Sequence, residues 1–167
     1  DLKKASKLAD WMIATSQREN GAYYNHGTVY TSVIYIAKSV LELARKAVAK
    51  SINASSQEII FTSGGTESNN WVLRNAVSTL KIERIISSKI EHHAVLHVLK
   101  ALEREFTIDV DYVAILPNGE IDVTHLVTLL SENKKTLVSL MHVNNEIGSI
   151  LDLALISRIC KQHQAFF

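Results

Sequence analysis

Short apolar segments alternate with amphipathic segments along most of the chain. Apolar residues at helical spacing predict a helix over residues 2–17, and a second helix that starts at Thr31 or Ser32 and reaches about Lys50. The glycine-containing polar stretch between them, residues 18–28, is predicted to be a loop. The first third of the chain therefore reads as helical.

From residue 58 onward, short apolar runs and amphipathic helices follow one another regularly. Strands are predicted within residues 58–62, 83–88, 106–116, 136–143 and from 165, and helices over about 66–80, 92–104, 122–130 and 152–163. A turn is predicted at PNGE, residues 117–120. This order is typical of an α/β domain with a mostly parallel sheet flanked by helices.

Three polar clusters come directly after predicted strands. They are TSGGTESNN at 62–70, SSKIEHH at 87–93 and HVNNEIG at 142–148. Ligands of parallel α/β sheets bind at the carboxyl ends of the strands. We therefore expect the three clusters to share one rim of the sheet.

The glycine turn at the first cluster has the chemistry of an anion site. Gly64 and Gly65 allow a ligand to approach the backbone, and the helix that follows begins with free N–H groups. The hydroxyls of Thr66 and Ser68 add donors, so phosphate is a natural ligand. The motif is neither a Walker A loop nor G-x-G-x-x-G. The alternative is a plain glycine turn with a Thr cap, in which Glu67 favours the helix dipole.

The second cluster is rich in histidine. His93 and His97 are spaced to share a helix face, which leaves a zinc site open, although no cysteine cluster or clear third ligand supports it. His92 can instead offer a flat aromatic surface that also carries a proton near neutral pH. A third possibility is a histidine at a helix start that only bonds the backbone.

The third cluster contains two adjacent asparagines, Asn144 and Asn145, followed by Glu146. A carboxamide both donates and accepts, which suits a phenolic oxygen or a substrate carboxylate. Simple turn chemistry, with Gly148, is the alternative. Cys160 lies among apolar positions of a predicted helix, where a buried structural thiol is the default and a catalytic role is not favoured.

Composition narrows the class of protein. The chain has 167 residues, 47% of them apolar and 21% charged, with a formal net charge of +1. No long basic block supports a nucleic-acid partner, and no apolar run is long enough to suggest a membrane span. One cysteine, Cys160, excludes an internal disulfide framework, and the N-terminus lacks a signal-peptide core. These features predict a cytoplasmic protein, and the absence of a starting Met suggests a fragment or a processed chain.

The clusters together resemble the cysteine desulfurases of the NifS/IscS type, in the class V aminotransferase group of pyridoxal-phosphate enzymes. The stretches that carry the resemblance are EIIFTSGGTESNN, SSKIEHHAVLHVLKALE, PNGEID and LVSLMHVNNEIGSI, in the order and spacing of that family. They cover roughly residues 44–164. Residues 21–34 match poorly.

The resemblance implies a cofactor, pyridoxal 5'-phosphate, and a role for individual residues. Gly65 and Thr66 would hold its phosphate. His92 would stack on the pyridine ring and move protons, as the catalytic residue. Asn145 would bond near the phenolic oxygen of the ring and the substrate carboxylate.

The resemblance also implies an activity and partners. Sulfur would pass from L-cysteine to a protein thiol, leaving alanine and a persulfide for iron–sulfur cluster or thio-cofactor assembly. The expected partners are a sulfur-acceptor or iron–sulfur scaffold protein and, for the full-length enzyme, a second copy in a homodimer.

Several parts of the family pattern have no counterpart in this sequence. The opening strand is missing, as are the lysine that carries the cofactor, the sulfur-accepting cysteine and the carboxylate-binding arginine. We therefore expect residues 1–167 to be an incomplete large domain of a fold type I enzyme, inert when alone. Two alternatives stay open: a related activity such as selenocysteine lyase, and a non-catalytic scaffold or partner-binding module.

Overall fold

The structure is a computed structural model that describes the backbone of residues 26–167 and the side chains of residues 35–167. The predicted helix over residues 2–17, and the part of the predicted loop before residue 26, lie outside the described residues. The chain divides into two units, Asp1–Phe61 and Thr62–Phe167, which are described in turn.

In the first unit, helix α1 spans His26–Ser51. The predicted helix is confirmed, but its start is wrong, because residues 26–28 are helical and not part of a loop. Gly27 lies inside the helix. A single glycine costs a helix only about 1 kcal/mol, which is too little to end one of this length.

The strand predicted within residues 58–62 is wrong. A 3-10 turn occupies Ser56–Glu58, and the chain after it forms no ladder with any described residue. Ser55 makes a capping box with Glu58, whose carboxylate accepts the Ser55 N–H at 2.6 Å. Ile60 and Phe61 stay exposed. A short apolar run becomes a strand only where it can pair, and here the local cap prevails.

In the second unit, helices and strands alternate as predicted. They are α2 (Gly65–Ser78), β1 (Arg84–Ser88), α3 (His93–Glu105), β2 (Asp109–Val113), α4 (Val123–Leu130), β3 (Thr136–Val138) and α5 (Leu153–Gln162). The sheet order is β2-β1-β3, and both pairings are parallel. A parallel sheet flanked by helices confirms the predicted fold class.

The two faces of the sheet bury separate clusters of apolar side chains. Ile85 packs with residues of α2 and α3, whereas its neighbour Ile86 packs with residues of α4 and α5. Successive side chains of a strand point to opposite faces, so β1, the central strand, supplies both clusters. All five residues of β1 are buried, which is typical of a parallel strand covered on both sides.

The ends of the strands differ from the predictions in detail. Strand β3 ends at Val138 and not at residue 143, because the Met141 N–H bonds the Glu91 carboxylate and the chain leaves the sheet. The turn at residues 117–120 is confirmed, with Gly119 at a φ of 83°. Leu137 forms one parallel bridge with Phe166, so the strand predicted from residue 165 is present only as that bridge.

Asp122 and Asp152, the first residues of two predicted helices, are the N-caps of α4 and α5. Asp122 accepts the His125 N–H at 3.0 Å and Asp152 accepts the Leu155 N–H at 2.9 Å. Within the described residues, no helix is both long enough and apolar enough to cross a bilayer.

Candidate functional site

His92 occupies the N-cap of α3, after the short loop that follows strand β1. Its Nδ1 accepts the Ala94 N–H at 3.0 Å, so one of the alternatives from the sequence, a backbone-bonded histidine at a helix start, is observed. The ring is nevertheless exposed. With Nδ1 used as an acceptor, the proton of the neutral ring lies on Nε2, which points away from the cap. The cap therefore fixes the tautomer and leaves one face and one N–H for a ligand.

The two adjacent asparagines have different surroundings. Asn144 is 4% exposed, and its carboxamide donates to the Ile90 carbonyl at 2.9 Å and accepts the Glu146 and Ile147 N–H groups at 2.9 and 3.0 Å. Asn145 is exposed, and its side chain has no hydrogen-bond partner within residues 35–167. Asn144 is therefore structural, and Asn145 is free to bind a ligand.

A buried carboxylate joins the loops that carry these residues. Glu91 is 7% exposed, and its Oε1 accepts the Met141 N–H at 2.7 Å and the Ser88 hydroxyl at 3.4 Å. Burial raises the pKa of the Glu91 carboxyl, and the two hydrogen bonds oppose that shift. Sequence reasoning assigned Glu91 no role. Its position directly before a helix-capping histidine was the available signal.

His92 and Asn145 line one cavity of about 250 Å³ at the carboxyl end of the sheet. Its walls come from the loop after β1 with the start of α3, and from the loop after β3. The lining residues are Lys89, Ile90, Glu91, His92, His93, Leu96, Asn144, Asn145, Glu146 and Ile147. The structure therefore brings two of the three predicted clusters together, and Lys89 of the second cluster lines the same cavity.

The glycine turn starts helix α2, with Gly64 as the N-cap. The turn is held by its own side chains: Glu67 accepts the Ser63 N–H at 2.6 Å and the Ser63 hydroxyl at 2.7 Å, and Thr62 bonds Ser68 at 2.7 Å. The bonds from Ser63 lower the pKa of Glu67. Glu67 therefore completes the turn and stays ionised.

Neither fold nor packing requires glycine at this helix start. A Cβ at Gly64 or Gly65 would meet no atom within 4 Å, and neither residue has a φ in the left-handed region. The N–H groups of Gly65 and Thr66 have no partner among residues 35–167, and both residues are exposed. Open space beside unpaired amides at the positive end of a helix is suited to an anion.

The glycine turn does not line the cavity of His92 and Asn145. The connectivity nevertheless directs it to the same edge of the sheet. Helix α2 packs on the sheet and leads through a short turn into the start of β1, and α3 leaves from the end of β1. Both helices therefore run opposite to β1, with their N-termini toward its carboxyl end.

The remaining candidates from the sequence do not build a site. His93 and His97 have ring centroids 5.4 Å apart, but no group of three His, Cys, Asp or Glu side chains in the described part of the chain could hold a metal ion. Cys160 is 1% exposed in the core cluster of α4 and α5, and burial raises its pKa to about 11. A protonated, buried thiol is a poor nucleophile, so the prediction of a structural cysteine agrees with its position.

The fold and the site define a class of protein. A parallel α/β sheet that carries a helix start with unpaired amides, an exposed imidazole and a free carboxamide toward one edge is the arrangement of the pyridoxal-phosphate enzymes of fold type I. Residues 6–167 match the family model described as aminotransferase class V. The chain belongs to the class V aminotransferase family.

Known relatives agree with this assignment. The chain is 43% identical over 170 residues to cysteine desulfurase IscS of Buchnera aphidicola subsp. Acyrthosiphon pisum (strain 5A), covering all of this chain and 40% of that protein. It is 41% identical over 132 residues to cysteine desulfurase IscS of Dictyoglomus turgidum, covering 78% of this chain and 33% of that protein. The chain thus spans two fifths or less of the length of these relatives.

Solved structures share the fold. A NifS-like protein superposes with a TM-score of 0.71 at 32% identity, over 94% of this chain and 42% of that chain. DndA from Streptomyces lividans superposes with a TM-score of 0.67 at 35% identity, over 96% of this chain and 43% of that chain.

Enzymes of this family use pyridoxal 5'-phosphate, and the side chains present here fit that group. The open amides at Gly65 and Thr66 match an anionic phosphate. His92 offers an exposed ring and Asn145 an unpaired carboxamide in one cavity. The Asn145 carboxamide and the amides of Gly65 and Thr66 make no hydrogen bond within residues 35–167, and His92 uses only its Nδ1 for the helix cap.

Proposed function

We propose that the protein containing this chain is a pyridoxal-phosphate-dependent cysteine desulfurase. It takes sulfur from L-cysteine and releases L-alanine. The C–S bond of the substrate breaks, the sulfur joins a protein thiol as a persulfide, and a proton replaces it on the substrate carbon. The observation that carries this proposal is the shared cavity of His92 and Asn145, whose ring face and carboxamide are unused by the fold.

In this proposal, the residues of this chain bind and orient the cofactor and the substrate. The N–H groups at the start of α2, together with the Thr66 hydroxyl, hold the cofactor phosphate. Asn145 donates from its carboxamide to the phenolic oxygen of the cofactor or to the substrate carboxylate. When bound, the cofactor supplies an electron sink for the carbon skeleton of the substrate.

His92 has two tasks in this proposal. Its exposed ring face packs on the pyridine ring, and its Nε2 holds or delivers a proton. The bond from the Ala94 N–H to Nδ1 supports this role, because it fixes which ring nitrogen faces the ligand. The helix cap and the proposed chemistry therefore use different atoms of one side chain.

The sulfur-accepting thiol is not Cys160. That thiol is 1% exposed among apolar side chains, and its raised pKa keeps it protonated. A cysteine elsewhere in the protein must accept the sulfur and pass it to an acceptor or an iron–sulfur scaffold protein. A cytoplasmic homodimer, as expected from the sequence, completes the proposal.

The test is an assay of the intact protein for alanine release. We expect release from L-cysteine that depends on added pyridoxal phosphate, and a protein-bound persulfide that a reductant removes. Faster release from selenocysteine than from cysteine would favour a selenocysteine lyase. Cofactor binding without release from either substrate would favour the non-catalytic alternative.

A further inference from the structure

Two loops that are distant in sequence carry the residues of the cavity, and few groups hold them together. The loop after β1 contains His92, and the loop after β3 contains Asn145. The sheet itself does not join them at this point, because the ladder between β1 and β3 ends at Val138 and a single further bond, from the Ser139 N–H to the Ile86 carbonyl, follows it. The separation of His92 and Asn145 is therefore set beyond the end of the ladder.

Two side chains connect the loops there. Asn144 donates to the Ile90 carbonyl at 2.9 Å, and Glu91 makes the connection next to His92. Its carboxylate accepts the Met141 N–H at 2.7 Å, across 50 positions in sequence. The residue is adjacent to His92, the N-cap of α3, so a shift of its backbone would move the ring. It is also buried, so water does not compete for the bond.

We propose that Glu91 is a positioning residue, which sets the placement of His92 relative to Asn145 by tying the loop after β1 to the segment after β3. This inference rests on the proposed function. Glu91 does not itself contact the cofactor or the substrate in the proposal. Its effect reaches the site through the backbone of the two loops.

The strand pair offers a matched control. Ser87 is fully buried and its hydroxyl donates to the Ser139 carbonyl at 3.0 Å. This bond also links the β1 side to the segment after β3, but it lies deeper in the sheet and farther along the chain from His92. Removing it costs stability in the same way without releasing the loops.

The experiment compares Glu91→Leu, Glu91→Asp, Glu91→Gln and Ser87→Ala in the intact protein. Leu removes the acceptor of the Met141 N–H. Asp keeps a carboxylate but shortens the side chain by one methylene. The Asp variant keeps the inference testable should the Leu variant fail to fold. Gln keeps an acceptor oxygen for the Met141 N–H without a charge. Two readouts are used: the dissociation constant of pyridoxal phosphate, and the His92 ring signal in the NMR spectrum of the ¹³C-histidine-labelled apo protein.

We expect Glu91→Leu and Glu91→Asp to weaken cofactor binding roughly tenfold and to move the His92 signal, because misplaced groups lose most of their contribution. Glu91→Gln and Ser87→Ala should stay within about twofold of the wild type and keep the signal. Equal effects of Ser87→Ala and Glu91→Asp would overturn the inference and leave Glu91 a purely structural residue. So would a Glu91→Asp variant with an unchanged His92 signal.

The two readouts separate this inference from the proposed function. A wild-type protein that binds no pyridoxal phosphate would refute the proposed cofactor. The His92 signal of the apo variants would still report whether Glu91 positions the ring.

Discussion

The carboxamide of Asn144 donates to the carbonyl of Ile90 at 2.9 Å, across 54 positions in sequence. The same side chain accepts the Glu146 and Ile147 N–H groups, so it closes its own turn and fastens that turn to the loop after β1. The next residue, Asn145, makes no such bond within the described side chains. One asparagine therefore builds the loop, and its neighbour remains available to a ligand.

Substituting Asn144 and Asn145 by alanine should separate stability from binding. Asn144→Ala removes a buried carboxamide and leaves the Ile90 carbonyl and the Glu146 and Ile147 N–H groups without this partner, so we expect a loss of about 2–3 kcal/mol in the free energy of unfolding. Asn145→Ala should change that free energy by less than about 0.5 kcal/mol, because the side chain is exposed and unbonded. Urea denaturation of both variants measures the difference.

Cofactor affinity provides the second half of that comparison. We expect Asn145→Ala to weaken the binding of pyridoxal phosphate by roughly tenfold, the value of one well-placed hydrogen bond to a charged or polar group. An Asn145 variant that is destabilised like the Asn144 variant, or that binds the cofactor normally, would contradict the assignment.

Substitutions of His92 should likewise separate the effect of its helix cap on stability from the effect of its ring on activity. His92→Ala removes the acceptor for the Ala94 N–H, which should cost about 1 kcal/mol of stability. His92→Asn replaces the cap with another good N-cap residue, so its stability should stay close to that of the wild type. Both variants lose the ring, and both should lose alanine release equally. Thermal denaturation and the activity assay, run on the same preparations, check this, and a fully active Asn variant would show that the ring is not used.

Gly65→Ala tests whether the glycine serves a ligand or the fold. A Cβ there meets nothing within 4 Å, and the residue opens a helix, so alanine should keep or raise stability, by up to about 1 kcal/mol. The same methyl group would occupy the space next to the free amides. We expect affinity for pyridoxal phosphate to fall at least about tenfold, while affinity for pyridoxal, which lacks the phosphate, changes little. Equal losses of affinity for pyridoxal phosphate and pyridoxal would show that the phosphate does not bind at this helix start.

Most elements of the second unit could be predicted from the sequence because each carries its own local signal. Asp122 and Asp152 are typical residues for a helix N-cap, and the apolar spacing of α3 and α5 indicates which face of each helix is buried. The run at residues 58–62 failed for the opposite reason. Whether this run forms a strand depends on whether another strand is available to pair with it. The capping box of Ser55 and Glu58 is a stronger local signal than the apolar run.

The site was predictable only in part, for a similar reason. The sequence places His92 and Asn145 after strands, and parallel topology then brings their loops to one edge of the sheet. It does not show which of two adjacent asparagines is buried, because that depends on the Ile90 carbonyl. The role of Glu91 also depends on a backbone amide 50 positions away, which no local pattern contains.

Lys89 gives a direct test of whether residues 1–167 can carry the cofactor covalently. Lys89 lines the cavity of His92 and Asn145, but it is exposed and its side chain has no hydrogen-bond partner within residues 35–167. An amine without such a partner is not held in position for attack. After mixing this chain with pyridoxal phosphate and treating it with borohydride, we expect scattered, substoichiometric labelling in the peptide mass spectrum. A stoichiometric adduct at Lys89, absent from a Lys89→Arg variant, would instead make this residue a cofactor-bearing lysine.

Cys160 should govern a measurable part of the stability of the chain at high pH. Burial raises its pKa to about 11 in the folded state, whereas an unfolded thiol titrates near about 8.5. The folded state thus holds the proton more tightly than the unfolded state. The resulting contribution of Cys160 to the free energy of unfolding is complete below the pKa of the unfolded thiol and is lost as the pH rises toward about 11. Within that window the free energy of unfolding should fall by up to about 1.4 kcal/mol per pH unit.

The matched variant for this last test is Cys160→Ala, which keeps the position apolar and removes the titrating group. The raised pKa of the half-buried Tyr112 affects both proteins equally, so the difference between them isolates the thiol. We expect the wild type to lose stability relative to the variant as the pH is raised from about 8 to about 10.5 in a series of urea denaturation curves. A difference that stays constant over this range would mean that Cys160 is accessible to water in the folded chain, and a thiol reagent that labels it without urea would show the same.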